Sequence, residues 1–84
     1  MTARDVYNKG NNKLLEALEI ECTTDCLLLL EHTCKVDRNV LLSHPEREID
    51  EALVNEFFKC IDKRIQGYPV QYIQVRLLLW GWNS

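Results

Sequence analysis

Glycine and proline are scarce in this chain, three and two in 84 residues. So few glycines leave no GxGxxG fingerprint, no P-loop and no other glycine-rich cradle for phosphate. GxSxG and HExxH are also absent. Positive charge is in deficit: ten Lys and Arg face thirteen Asp and Glu, a net charge of −3. That balance argues against a dedicated DNA or RNA surface, which needs clustered cations. The longest apolar run, Cys26 to Leu30, falls far short of the roughly 20 residues of a membrane span. The opening stretch MTARDVYNKGNNK is polar where a signal peptide would be apolar. The expectation is a soluble, cytoplasmic protein with no direct contact to nucleic acid or membrane.

What is present suits one small globular domain. Hydrophobic residues make up 46% and charged residues 27%. A chain this short hides only about 60–65% of the surface its unfolded form exposes. A helical core is feasible, but a deep enclosed active-site cavity is not expected. The acidic run EREIDE, Glu46 to Glu51, reads as the solvated start of a helix.

The four cysteines, Cys22, Cys26, Cys34 and Cys60, lack the spacing of paired zinc knuckles. Cys26, Cys34 and Cys60 lie among apolar residues at helical spacing, where a free thiol packs as a small hydrophobe. A metal site of Cys22, Cys26, His32 and Cys34 is the competing reading. A disulfide is disfavoured in a reducing cytosol.

Helical signals follow one another along the chain. Thr2 caps a first helix with Asp5 in its first turn, and the helix stops near Glu19. Ala3, Tyr7, Gly10, Leu14, Ala17 and Leu18 form its apolar face. Gly10 costs about 1 kcal/mol relative to Ala in mid-helix, so its place on that face points to close packing. A second helix starts at Thr23 or Thr24. CLLLL makes it apolar on nearly every side, as expected of a central helix. Asp37 caps a short third helix, with Val36 and Leu41 as a hydrophobic staple. Val40, Leu41 and Leu42 are its inward candidates. Pro45 ends it near His44, which reads as a turn residue rather than a catalytic base.

The fourth helix is the clearest. Asp50 caps it and Ile49 and Val54 staple it. Val54, Phe57, Phe58, Ile61 and Ile65 form its stripe, with Leu53 and Cys60 beside it. Gly67 is placed as the left-handed C-terminal cap. Pro69 opens a short fifth helix, Val70 to Ile73. Phe57, Phe58, Leu28 and Leu30 are the expected core. The fold class is therefore all-α, a small bundle of four main helices plus a short fifth. The end, VRLLLWGWNS, is apolar and carries both Trp residues. Leu77 to Trp82 form a candidate contact patch.

Arg64, Gly67, Pro69, Tyr72 and Ile73 fit R-x-x-G-x-P-x-x-Y-I. That pattern closes the N-terminal domain of the HemK/PrmC-type peptide chain release factor glutamine methyltransferases, which this chain resembles. Asp25-Cys26-Leu27-Leu28-Leu29 resembles the family's DAxLLL helix. Val36-Asp37-Arg38 followed by Leu41-Leu42-Ser43-His44-Pro45-Glu46 resembles its v-x-R-x-x-LLxHPE segment. The likeness runs from about residue 2 to residue 74, which is expected to be the helical domain. It departs at Val75, where the family has Gly, so residues 75–84 are expected to be a tail at the junction.

The resemblance implies a helical bundle joined to a Rossmann-like catalytic domain. That second domain binds S-adenosylmethionine and methylates the Gln of the release factor's GGQ motif. The cofactor loop and the NPPY signature belong to it, so no catalytic, cofactor or metal residue is assigned in this chain. The implied role is to help hold the release factor, with no catalysis by this chain alone. Arg64, Tyr68, Gln71 and Tyr72 are the candidate partner or domain-interface residues. The alternative is a free-standing interaction module that dimerises through its apolar tail.

Overall fold

The structure, a computed structural model, describes residues 1–79, with side chains to Arg76. The patch expected at Leu77 to Trp82 lies outside the described side chains. Five helices follow in order: α1 (Ala3–Leu18), α2 (Thr23–Cys34), α3 (Arg38–Ser43), α4 (Glu51–Ile65) and α5 (Val70–Leu79). Among the described residues the only extended pairing is a single antiparallel bridge, Thr2 to Glu48. The all-α expectation holds.

Local chemistry accounts for the helix ends. The first four N–H groups of a helix have no partner within it. In α1 the N–H groups of Ala3 and Arg4 donate to the carbonyls of Arg47 and Pro45, at 2.8 and 3.1 Å. Asp5 N–H donates to Thr2 Oγ1 at 3.2 Å, and Val6 N–H to the Thr2 carbonyl at 3.0 Å. The loop before α4 thus completes the α1 cap, and α4 itself begins only at Glu51. EREIDE is therefore mainly that loop, with Glu46 and Glu48 exposed and Ile49 buried. At α3 the Asp37 carboxylate accepts from Val40 N–H at 2.9 Å. Asp50 holds the corresponding position at α4, yet only its carbonyl is engaged, accepting from Val54 N–H at 2.9 Å.

α2 is central, packing against α1, α4 and α5. Val6, Leu14, Cys26, Leu29, Leu30, Phe57, Ile61 and Ile73 are fully buried among these four helices. Gly10 sits where α1 crosses the others. A Cβ there would lie 2.5 Å from Cζ and 2.6 Å from Cε2 of Phe57, and 3.4 Å from Cys26 Sγ.

Several expected core positions shift. Leu28 is exposed on α2 and Phe58 is half-buried, its ring 5.4 Å from that of Phe57. On α1, Val6 is buried while Ala17 is exposed, because the inner face runs 3, 6, 10, 14. Leu42 does not pack inward: it is 73% exposed. A six-residue helix turns only part of its surface to the core, and Val40 and Leu41 occupy that part. The fifth helix runs past Ile73 to Leu79, since no Gly or Pro interrupts the sequence after Pro69 until Gly81.

Candidate functional site

The α4–α5 corner is a Schellman motif. Gly67 has φ 109°, and its N–H donates to the Arg64 carbonyl at 3.1 Å. Tyr68 N–H donates to the Lys63 carbonyl at 3.2 Å. These bonds satisfy the end of α4 and turn the chain into α5. Pro69 precedes α5, and its carbonyl accepts from Ile73 N–H at 3.1 Å.

This turn gathers the four residues singled out above. The Arg64 Nε donates to Asp25 Oδ2 at 3.1 Å, tying the end of α4 to the start of α2. Arg64 is thus committed to an intrachain ion pair, with its side chain 23% exposed. The rings of Tyr68 and Tyr72 stack at 5.3 Å and 12°, and both are exposed. The Lys63 ammonium lies 6.0 Å from the Tyr68 ring centroid. Gln71 is exposed, and with Arg64, Asp25, Leu28 and Val70 it lines a shallow depression. The corner therefore offers two flat rings and an amide around a fixed guanidinium. Among these described residues no nucleophile stands beside a base.

A second surface escaped the sequence reading. Its groove of about 550 Å³ lies between α1, α2 and α3. Tyr7, Leu27, Leu41, Leu42 and Pro45 supply its apolar lining, and Arg4 and Arg38 its charge. Arg38 and Leu42 fall within the v-x-R-x-x-LL segment noted in the sequence, which marked them as patterned without indicating a surface.

The thiols are core atoms. All four cysteines are free and buried. Cys26 Sγ donates to the Tyr7 carbonyl at 3.6 Å and Cys34 Sγ to the Leu53 carbonyl at 3.5 Å. Burial pushes the Cys26 and Cys60 thiols up to about 12, with Asp25 and Glu56 respectively adding to it. Burial likewise raises Cys34, against a hydrogen bond from Thr33 that lowers it. Among the described residues no group of three or more His, Cys, Asp or Glu could hold a metal ion. His32, offered with Cys22, Cys26 and Cys34 as a ligand set, is exposed while those thiols are buried. No described helix is long and apolar enough to cross a membrane.

Comparison with known proteins gives one consistent family. Residues 5–74 match the family described as PrmC N-terminal domain. A release factor glutamine methyltransferase of Moorella thermoacetica is 39% identical over 73 residues, 87% of this chain and 26% of that protein. One from Clostridium acetobutylicum is 28% identical over 81 residues, 96% of this chain and 28% of the relative. One from Haemophilus influenzae is 32% identical over 57 residues, 68% of this chain and 20% of the relative. The chain thus spans about a quarter of the length of the curated relatives it matches. No solved structure matches significantly.

Proposed function

The chain belongs to the PrmC N-terminal domain family, and on that premise we propose that it is the recognition part of a release factor glutamine methyltransferase. It holds the release factor while a separate domain performs methyl transfer. The match over residues 5–74, nearly the whole described bundle, carries this reading.

S-adenosylmethionine is the methyl donor implied by the family resemblance, and this chain's residues do not fit it. The groove between α1, α2 and α3 is lined by two arginines and no carboxylate. An adenosine ribose is commonly held by an acidic side chain, and the sulfonium cation would meet two guanidinium charges. Cofactor binding therefore belongs to the separate domain, and no step is assigned to residues here. The exposed Tyr68–Tyr72 stack, with Gln71 and the Asp25-anchored Arg64, is the surface that meets the rest of the enzyme. Rings of this kind supply contact area at low entropy cost.

Two measurements test the reading. Titrating the isotopically labelled chain with an intact class 1 release factor should move a contiguous set of amide signals. A spectrum that does not change would remove the recognition role. Calorimetry with S-adenosylmethionine should give no binding heat, and micromolar affinity would overturn the division of labour.

A further inference from the structure

We infer that the groove between α1, α2 and α3 is the seat of an acidic segment of the release factor, one carrying a carboxylate between apolar side chains. This rests on the recognition reading above and assigns it a surface distinct from the α4–α5 corner.

Charge is the first argument. The chain carries an excess of acids, yet the groove is lined by Arg4 and Arg38 and by no Asp or Glu. Neither arginine takes part in the ion pairs Met1–Glu48, Lys13–Asp62, His44–Glu46 and Asp25–Arg64 found among the described residues. The acids next to them in sequence are otherwise placed: Asp37 caps α3, and Asp5 does not line the groove. Both arginines also stand where helix electrostatics disfavour them. Arg4 is in the first turn of α1, and Arg38 begins α3. Cations are unfavourable at that end of a helix, where backbone N–H groups already make the potential positive. The first turn of α2, at Thr23 and Thr24, faces the same groove. The charge on the groove's lining is therefore positive in a negative molecule, which is complementary to a carboxylate.

The second argument is apolar. Leu42 is the most exposed large hydrophobic residue among those described, at 73%. It lines the groove together with half-buried Tyr7, Leu27 and Leu41. An open apolar floor flanked by two cations suits a peptide segment that places apolar side chains on the floor and its carboxylate at the rim.

The experiment compares Arg4→Glu/Arg38→Glu with a control pair, Lys9→Glu/Lys35→Glu, which changes net charge equally outside the groove. Acids near a helix start are favourable, so the groove pair should fold at least as stably as the parent. Binding of the intact release factor should weaken at least about tenfold in the groove pair and within about twofold in the control. The salt dependence of the affinity should also flatten in the groove pair alone. Leu42→Ser should weaken binding with no loss of stability. If the release factor binds the parent and the groove pair equally, the groove is wrong and the recognition role stands. If it does not bind the parent, both fall. If the parent instead self-associates in sedimentation and the groove pair does not, the occupant is a second copy and the inference is overturned.

Discussion

Replacing Gly10 with alanine sets two known effects against each other. In an exposed helix interior the change should stabilise by about 1 kcal/mol, because alanine loses less backbone entropy. Here the new methyl would lie 2.5 and 2.6 Å from two ring carbons of Phe57. Ordinary contact begins near 3.4 Å, so the ring must retreat by 3.4 − 2.5, or about 0.9 Å. Phe57 is fully buried, with the Phe58 ring 5.4 Å away. It has no solvent to move into, and close-packed interiors resist such shifts. Overpacking of this kind costs roughly 1–3 kcal/mol. The clash should outweigh the gain, for a net loss of up to about 2 kcal/mol. In a domain this size that lowers Tm by up to roughly 16 °C.

Urea unfolding of Gly10→Ala, Phe57→Leu and the double variant supplies the decisive measurement. Phe57→Leu costs stability by itself but removes the ring atoms in question. In that background Gly10→Ala should reverse sign and stabilise. The cycle should show a coupling of about 1 kcal/mol or more between the two sites. A higher Tm for Gly10→Ala alone, or a coupling near zero, would refute the claim that close helix approach is why glycine stands at this position.

Gly67→Ala should also destabilise, by about 1–2 kcal/mol, for an unrelated reason: the site has open space around it, but φ is 109°; thermal denaturation within about 0.5 kcal/mol of the parent would contradict this. Phe57→Ala should cost about 3–5 kcal/mol and half-buried Phe58→Ala clearly less, with equal losses by chemical denaturation counting against the burial assigned to each ring. Asp25→Ala and Arg64→Ala should couple by about 0.5–1 kcal/mol in a double-mutant cycle, and additive losses would mean the pair contributes only packing. The thiol of Cys26 is raised from an ordinary value of 9.0 to about 12 in the fold, and that of Cys60 likewise. The folded state therefore holds protons that the unfolded state releases, so stability is intact below about pH 9 and declines as pH rises from 9 toward 12. Thiol labelling should be slow until denaturant is added, and rapid labelling of native protein would show that these side chains are reached by solvent.

Much of the fold was legible because its signals are local. Thr2, Asp37 and Gly67 each act within a few residues, through bonds that a short stretch of sequence can specify. The α4 stripe at Val54, Phe57 and Ile61 follows helical periodicity closely. Failures arose where periodicity is ambiguous. α2 is so apolar that its pattern does not say which Leu faces out, and Leu28 proved to be the exposed one. In α3 two adjacent leucines compete for one inward face, and only packing decides that Leu41 takes it and Leu42 does not. The cap of α1 was half legible: Thr2 is local, but the carbonyls of Pro45 and Arg47 arrive from far along the chain.

The groove was illegible for a related reason. Its charge and its floor come from three helices, at Arg4, Tyr7, Leu27, Arg38 and Leu42, and no window of sequence contains them together. What brings them into register is the core beneath. Gly10 lets α1 approach both Phe57 and Cys26, and the Cys26 thiol in turn donates to the carbonyl of Tyr7, which lines the groove. The Cys26 side chain thus touches both the Gly10 contact in the core and the backbone of a groove residue. Gly10→Ala consequently has a second expected effect. By pushing α1 away from its neighbours it should shift amide signals of Arg4, Thr24 and Arg38, as well as those near Phe57. A perturbation confined to the core would separate the packing of the bundle from the shape of its groove.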